Sequence, residues 1–157
     1  MTLEQMRAKT PGWPWYQPWV ALATFSAVLN FLWEMVVMPA YGTRSTSAAG
    51  IGIAMCVLAT LGDVGITLGS YAVAASIAPR RWLTRPAIAP CLTYLAVGLV
   101  MTIAFEYVNV YMLHRWSYAP RMQVMAGIGV LPLLQWIVLP PIVLWLARRH
   151  FASALRG

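Results

Sequence analysis

Residues 89–118 read "APCLTYLAVGLVMTIAFEYVNVYMLHRWSY". The first part is an apolar run long enough to cross a bilayer as a helix, which takes about 20 residues. Yet the run carries Glu106 and Asn109 before it ends, and Tyr, His, Arg and Trp crowd the exit. An acid at membrane depth costs at least about 2.5–3.5 kcal/mol. The reading of this stretch therefore turns on what the rest of the chain offers Glu106.

Three more runs of the same kind occur. The four spans read from the sequence cover approximately residues 19–38, 51–78, 87–113 and 124–147. Of the 157 residues, 61% are hydrophobic and 10% charged, against about 25% charged in a soluble domain. The runs are continuous, which excludes the alternating segments of a membrane β-barrel. The expected fold is all-α: an integral membrane four-helix bundle forming one domain over residues 1–157, a multi-pass protein of a bacterial inner membrane.

The net charge of +7 reports topology rather than nucleic acid. Arg7, Lys9, Arg80, Arg81, Arg85, Arg148, Arg149 and Arg156 fall on one side of the spans. Arg44, Arg115 and Arg121 fall on the other. Positive residues concentrate in cytoplasmic loops, so both termini and the middle loop are expected in the cytoplasm. "PGWPWYQPWV", residues 11–20, is the aromatic approach to the first span and suits the headgroup region.

The chain has four carboxylates, and three of them, Glu34, Asp63 and Glu106, lie inside spans. Gln135 is the strongly polar residue of the fourth. Counted from the span ends, all four sit at a broadly similar level. Asn30 and Glu34 are four apart and share one helix face. Thr60, Asp63, Thr67 and Ser70 form a stripe on span two, and Thr102, Glu106 and Asn109 form one on span three. These stripes are expected to face inward and share a cavity, because lipid-facing acids cost too much. Gly62, Gly65 and Gly69 leave a small surface for close helix approach. Tyr107, Tyr111, Arg115 and Trp116 continue from span three as candidate ligand contacts, with an interface belt as the alternative. Pro132, Pro140 and Pro141 are expected to kink span four around Gln135 and Trp136.

Cys56 and Cys91 fall near opposite ends of their spans, too far apart for a disulfide. His114 and His150 lie on opposite sides. No metal set, nucleotide loop or cofactor motif is read from the sequence.

Several acids in one dry pocket suit proton transfer in both directions, with one protonated and another ionised. The candidate catalytic residues are Glu34, Asp63 and Glu106. The candidate substrate-binding residues are Asn30, Trp33, Tyr107, Asn109, Tyr111, Arg115, Trp116, Gln135 and Trp136. Aromatic rings among them, Trp33, Tyr107, Trp116 and Trp136, suit a cationic intermediate. Isomerisation or cyclisation of a lipid or isoprenoid fits that set, with the bilayer itself as the other partner and a homodimer left open. A proton-coupled transporter of a hydrophobic or cationic solute is the second reading. A structural subunit binding a lipid, quinone or carotenoid is the third.

Three short pieces, "NFLWEMV" at 30–36, "LGDVGITL" at 61–68 and "LLQWIVLPPIVL" at 133–144, resemble the emopamil-binding-protein family. These are small helical membrane proteins that include sterol double-bond isomerases. The resemblance implies acid–base isomerase chemistry, with Glu34 in the role of the family's glutamate and Trp136 facing the cation. Asn30 stands where the family carries a histidine, and the family has one more span.

Overall fold

The computed structural model describes residues 18–42, 49–78, 82–83 and 87–154. The aromatic approach at 11–17, and Arg7, Lys9, Arg44, Arg80, Arg81, Arg85 and Arg156 of the charge count, lie outside them.

Four helices carry the fold. They are α1 (Pro18–Val37), α2 (Ala49–Ile77), α3 (Ile88–Tyr107) and α4 (Val130–Ala154). All four are long and apolar enough to cross a membrane. Prolines punctuate them where their missing N–H costs least. Pro18 opens α1, Pro90 lies in the first turn of α3 and Pro132 in the first turn of α4. Pro39 sits in the 3₁₀ turn Met38–Ala40 that ends α1. Only Pro140 and Pro141 lie within a helix, and α4 runs on past both. Pro132 therefore marks a start, where the sequence suggested a kink.

The helices pack in a ring in chain order: α1 on α2, α2 on α3, α3 on α4 and α4 on α1. Close approach is bought by small residues on α2 and α3. A Cβ added at Gly62 would lie 2.7 Å from the Phe105 ring, and one added at Gly98 would fall 1.5 Å from Cζ2 of Trp136. α4 is the most enclosed helix, with half of its most apolar window buried against 22–28% in the others.

The two ends of the ring differ. At one end Leu22, Tyr71, Trp82, Tyr94, Val143 and Ala147 form a tight apolar core, in which Tyr71 stacks on Trp82. At the other end the chain departs from helix. α3 continues as a π-helical turn, Val108–Met112. Strand β1 (Tyr41–Gly42) pairs antiparallel with β2 (Ser117–Tyr118), placing Tyr41 opposite Tyr118. Strands β3 (Val124–Met125) and β4 (Ile128–Gly129) form a hairpin that leads into α4. Ala126 and Gly127 take φ of 52° and 85°, the left-handed pair a two-residue hairpin turn demands. The fourth helix thus begins at Val130, six residues after the apolar run does. The stretch "VMAGIG" has the composition of a span and the backbone of a turn.

Candidate functional site

One polar residue from each helix reaches a single cavity at the hairpin end. Glu34 of α1, Asp63 of α2, Glu106 of α3 and Gln135 of α4 all line it. Of the inward-facing stripes expected from helical spacing, Glu34, Asp63, Thr102 and Glu106 reach this lining, whereas Asn30, Thr60, Thr67, Ser70 and Asn109 do not. The cavity holds about 70 Å³, room for a handful of waters, each needing about 10–15 Å³ by this measure. Thr102, Tyr41, Phe105 and Trp116 complete its wall, with Met38, Cys56 and other small or apolar neighbours.

Gln135 is the hub. Its Nε2 donates to Asn30 Oδ1 at 2.9 Å and to Asp63 Oδ2 at 2.8 Å. Asn30 Nδ2 in turn donates to the Ser26 carbonyl at 2.8 Å and to Ser26 Oγ at 2.9 Å. Ser26 Oγ meets Thr67 Oγ1 at 2.9 Å. The chain of bonds joins α1, α2 and α4, and Ser26, Asn30, Thr67 and Gln135 are all buried. An amide nitrogen has two protons, and both are spent here. Glu34 also hydrogen-bonds the Gln135 side chain, so three groups share that amide.

Glu106 is held from the hairpin end. The Tyr118 hydroxyl donates to its Oε2 at 2.8 Å. Tyr118 and Tyr41 lie 6.0 Å apart, ring to ring, and Trp116 packs against Tyr41 at 6.5 Å and Phe105 at 6.2 Å. The strand pair β1–β2 thus lays an aromatic cover over the acids. Burial, then the Glu106 carboxyl, keeps the Tyr41 hydroxyl protonated well above the usual tyrosine range. Burial does the same for Tyr118, assisted by Glu106 and opposed by a Gly129 backbone contact. Both phenols are donors at neutral pH.

Several residues singled out from the sequence stand elsewhere. Tyr107 and Tyr111 are exposed on the outer face of the bundle and pack on each other at 5.3 Å; Tyr111 donates to the Gly127 carbonyl at 2.6 Å and steadies the hairpin turn. Neither lines the cavity. Trp136, next to Gln135, does not line it either. It is buried between α3 and α4, with its indole N–H on the Leu95 carbonyl at 2.9 Å, and the place facing the cation that the resemblance implies for it is not where it lies. Trp33 is half-buried and outside the cavity lining. Asn109 is buried one turn beyond Glu106, donating to the Phe105 carbonyl at 2.8 Å. The exposed Arg115 reaches back to Asn109 Oδ1 at 3.3 Å and not to the acids. The pair ties down the π-helical turn, which the Arg115 backbone N–H also bonds at Asn109.

Tyr41 and Tyr118 were not among the candidates. Periodicity could not place them, because both lie in irregular segments whose return over the bundle is set by strand pairing. Both cysteines are free, and no group of three metal-ligating side chains occurs among the described residues. The chain matches no protein-family model, no curated protein and no solved structure.

Proposed function

We propose that this chain is a multi-pass membrane enzyme that moves a carbon–carbon double bond in, or cyclises, a lipid or isoprenoid by acid–base chemistry. The observation that carries the reading is the cavity: three carboxyl groups from three helices, one amide and two phenols around one small space. Asp63 and Glu106 are fixed by Gln135 and Tyr118, which suits groups that hold charge. Glu34 only shares the Gln135 amide with Asp63 and Asn30, and that looser hold suits the group that gives up a proton. In the proposed step Glu34 delivers its proton to one alkene carbon, forming a C–H bond and leaving a tertiary cation. Glu106 then takes a proton from a neighbouring carbon, and the double bond re-forms one position on. Trp116, Tyr41 and Phe105 supply ring faces toward the cation.

The apolar core at the far end, around Tyr71, Trp82 and Val143, supports this over transport, because among the described residues that end is packed with apolar side chains. The eight-to-three distribution of basic residues supports an orientation with both termini cytoplasmic and the cavity toward the outer face of a bacterial inner membrane.

The test is deuterium wash-in. The chain in lipid nanodiscs, in deuterated water, is incubated with a panel of unsaturated isoprenoids and sterols, and products are weighed by mass spectrometry. Protonation at carbon leaves one deuterium per turnover. Glu34→Gln should abolish incorporation while melting no lower than the wild type, since the amide keeps the shape and removes an ionisable group. If Glu34→Gln, Asp63→Asn and Glu106→Gln all incorporate deuterium at the wild-type rate, the carboxyls do no chemistry and the reading fails.

A further inference from the structure

The carboxyl cavity is rich in acceptors and poor in free donors. No basic side chain lines it among the described residues. The Gln135 amide is shared out, and the Tyr118 hydroxyl is spent on Glu106. Trp116 turns its indole N–H toward Glu106 as well. Two hydroxyls on the lining remain. Thr102 is 6% exposed, and its hydroxyl has no hydrogen-bond partner among the described residues. Tyr41 is half-buried and makes no hydrogen bond to them either, although its hydroxyl lies within electrostatic reach of Glu106, Glu34 and Asp63. Among the acceptors, Asp63 takes the Gln135 amide on Oδ2, and its Oδ1 receives no donor from the described residues. Buried polar groups are normally bonded, so this wall is built for an oxygen that the fold does not itself supply.

The inventory selects the group that fits. Three acids with no facing cation repel a phosphate or carboxylate head. A ketone or an ether only accepts, so it meets Tyr41 and leaves Asp63 Oδ1 unfilled. A hydroxyl accepts from Tyr41 and donates to Asp63 at once. Size sets the rest. At about 10–15 Å³ for each water-sized group, the 70 Å³ of the cavity takes a hydroxyl and roughly one isoprene unit. The remaining wall is apolar, with Met55, Ala59, Ile66 and Phe105, and Met38 both lines the cavity and is exposed. A longer tail therefore leaves past Met38 toward lipid.

The geometry points to a neutral isoprenoid alcohol as the ligand, its hydroxyl clamped between Tyr41 and Asp63 and its first isoprene unit beside Glu34 and Glu106. This rests on the enzymatic reading above and narrows it to the alkene next to the hydroxyl-bearing carbon. Tyr41 and Asp63 hold the head, and Glu34 and Glu106 do the chemistry. The alkene carbon nearer the hydroxyl gains a C–H bond from the Glu34 proton and the π pair, which leaves the tertiary cation on the next carbon. The C–H pair one carbon further on becomes the new double bond, and its proton goes to Glu106. One proton enters, one leaves, and nothing is oxidised or reduced.

The experiment uses the full chain in nanodiscs with Cys91→Ser, which leaves Cys56 as the sole thiol. Cys56 lines the cavity and is 3% exposed, so its alkylation by N-ethylmaleimide reports whether the cavity is filled. Retention of tritiated geraniol over empty nanodiscs is a second readout that needs no thiol. Geraniol should be retained and should slow the alkylation. Geranyl methyl ether, which cannot donate, should need about three- to tenfold more for half protection, the range of one hydrogen bond. Tyr41→Phe keeps the ring beside Tyr118 and should raise the half-protecting geraniol concentration by about the same factor. Geranyl phosphate and the hydrocarbon with the same tail and no hydroxyl should not protect. Equal protection by that hydrocarbon, tighter binding of geranylamine, an unchanged Tyr41→Phe, or neither protection nor retention overturns the alcohol. In deuterated water the label should lie on the carbon next to the hydroxyl-bearing one. Geraniol bound as described with no deuterium incorporated refutes the enzymatic reading alone. Deuterium entering isoprenoids that lack a hydroxyl, with no protection by geraniol, refutes the alcohol alone.

Discussion

Replacing Gly98 by alanine tests how tightly the site is built. The added Cβ would lie 1.5 Å from Cζ2, 2.0 Å from Cε2 and 2.6 Å from Cη2 of Trp136. The indole must withdraw by roughly 2 Å to regain a carbon–carbon separation of about 3.5 Å. A shift of that size breaks the 2.9 Å bond from its N–H to the Leu95 carbonyl. An orphaned buried donor costs about 1–3 kcal/mol, and overpacking adds a further 1–3 kcal/mol, so a loss of roughly 2–6 kcal/mol is expected. Trp136 adjoins Gln135, and the damage should extend to the bonds that hold Asp63. Reversible unfolding in mixed micelles measures the loss. Adding Trp136→Leu to the alanine variant should return most of it, a coupling well above the ~0.5 kcal/mol of independent sites. A Gly98→Ala protein within about 0.5 kcal/mol of wild type would mean that α3 and α4 are not in contact as described.

Three further outcomes are expected. Gln135→Leu removes two bonds between helices, and at about 0.6 kcal/mol each, or 1.7 at most, should cost roughly 1–3 kcal/mol in the same unfolding assay; Gln135→Glu should be worse, setting an acid beside Asp63. Stability should fall above pH 10. There the unfolded tyrosines ionise while Tyr41 and Tyr118 stay protonated, so the unfolded chain binds fewer protons and gains with rising pH. A Tyr41→Phe, Tyr118→Phe protein should show a shallower alkaline limb in pH-dependent melting, and an unchanged limb would remove the buried phenols from the account. In cells, a cysteine at Gln123 should react with an impermeant maleimide from outside and one at Arg149 only after lysis; the reverse pattern would invert the orientation.

What the sequence disclosed follows from which forces are local. The apolar runs give the helices, because a span is written in consecutive residues. The inward face of Glu34, Asp63 and Glu106 is legible too, because spacing by three and four fixes a face and lipid forbids the alternative. Spacing did not decide Tyr107 and Trp136, because neighbours 100° apart can share a lining, as Phe105 and Glu106 do; aromatic character alone drew them in. Tyr41 and Tyr118 were hidden for a different reason. They are 77 positions apart by number and meet only because a two-residue strand pair joins the end of α1 to the loop before α4. Nothing periodic announces such a pairing. The start of α4 was misplaced because Ala126 adopts the left-handed backbone, which residues other than Gly, Asn and Asp rarely signal.

The position of Gln135 also bears on how the protein is made. Its amide bonds Asp63 across 72 residues and Asn30 across 105. At about 5–20 residues per second, the ribosome delivers Gln135 roughly 4–14 s after Asp63. For that interval two helices, α1 with Asn30 and α2 with Asp63, carry a polar group whose final partner has not been synthesised. The last helix closes the ring, and a chain stalled before it would present its polar stripes to insertion and quality-control machinery as an unfinished product.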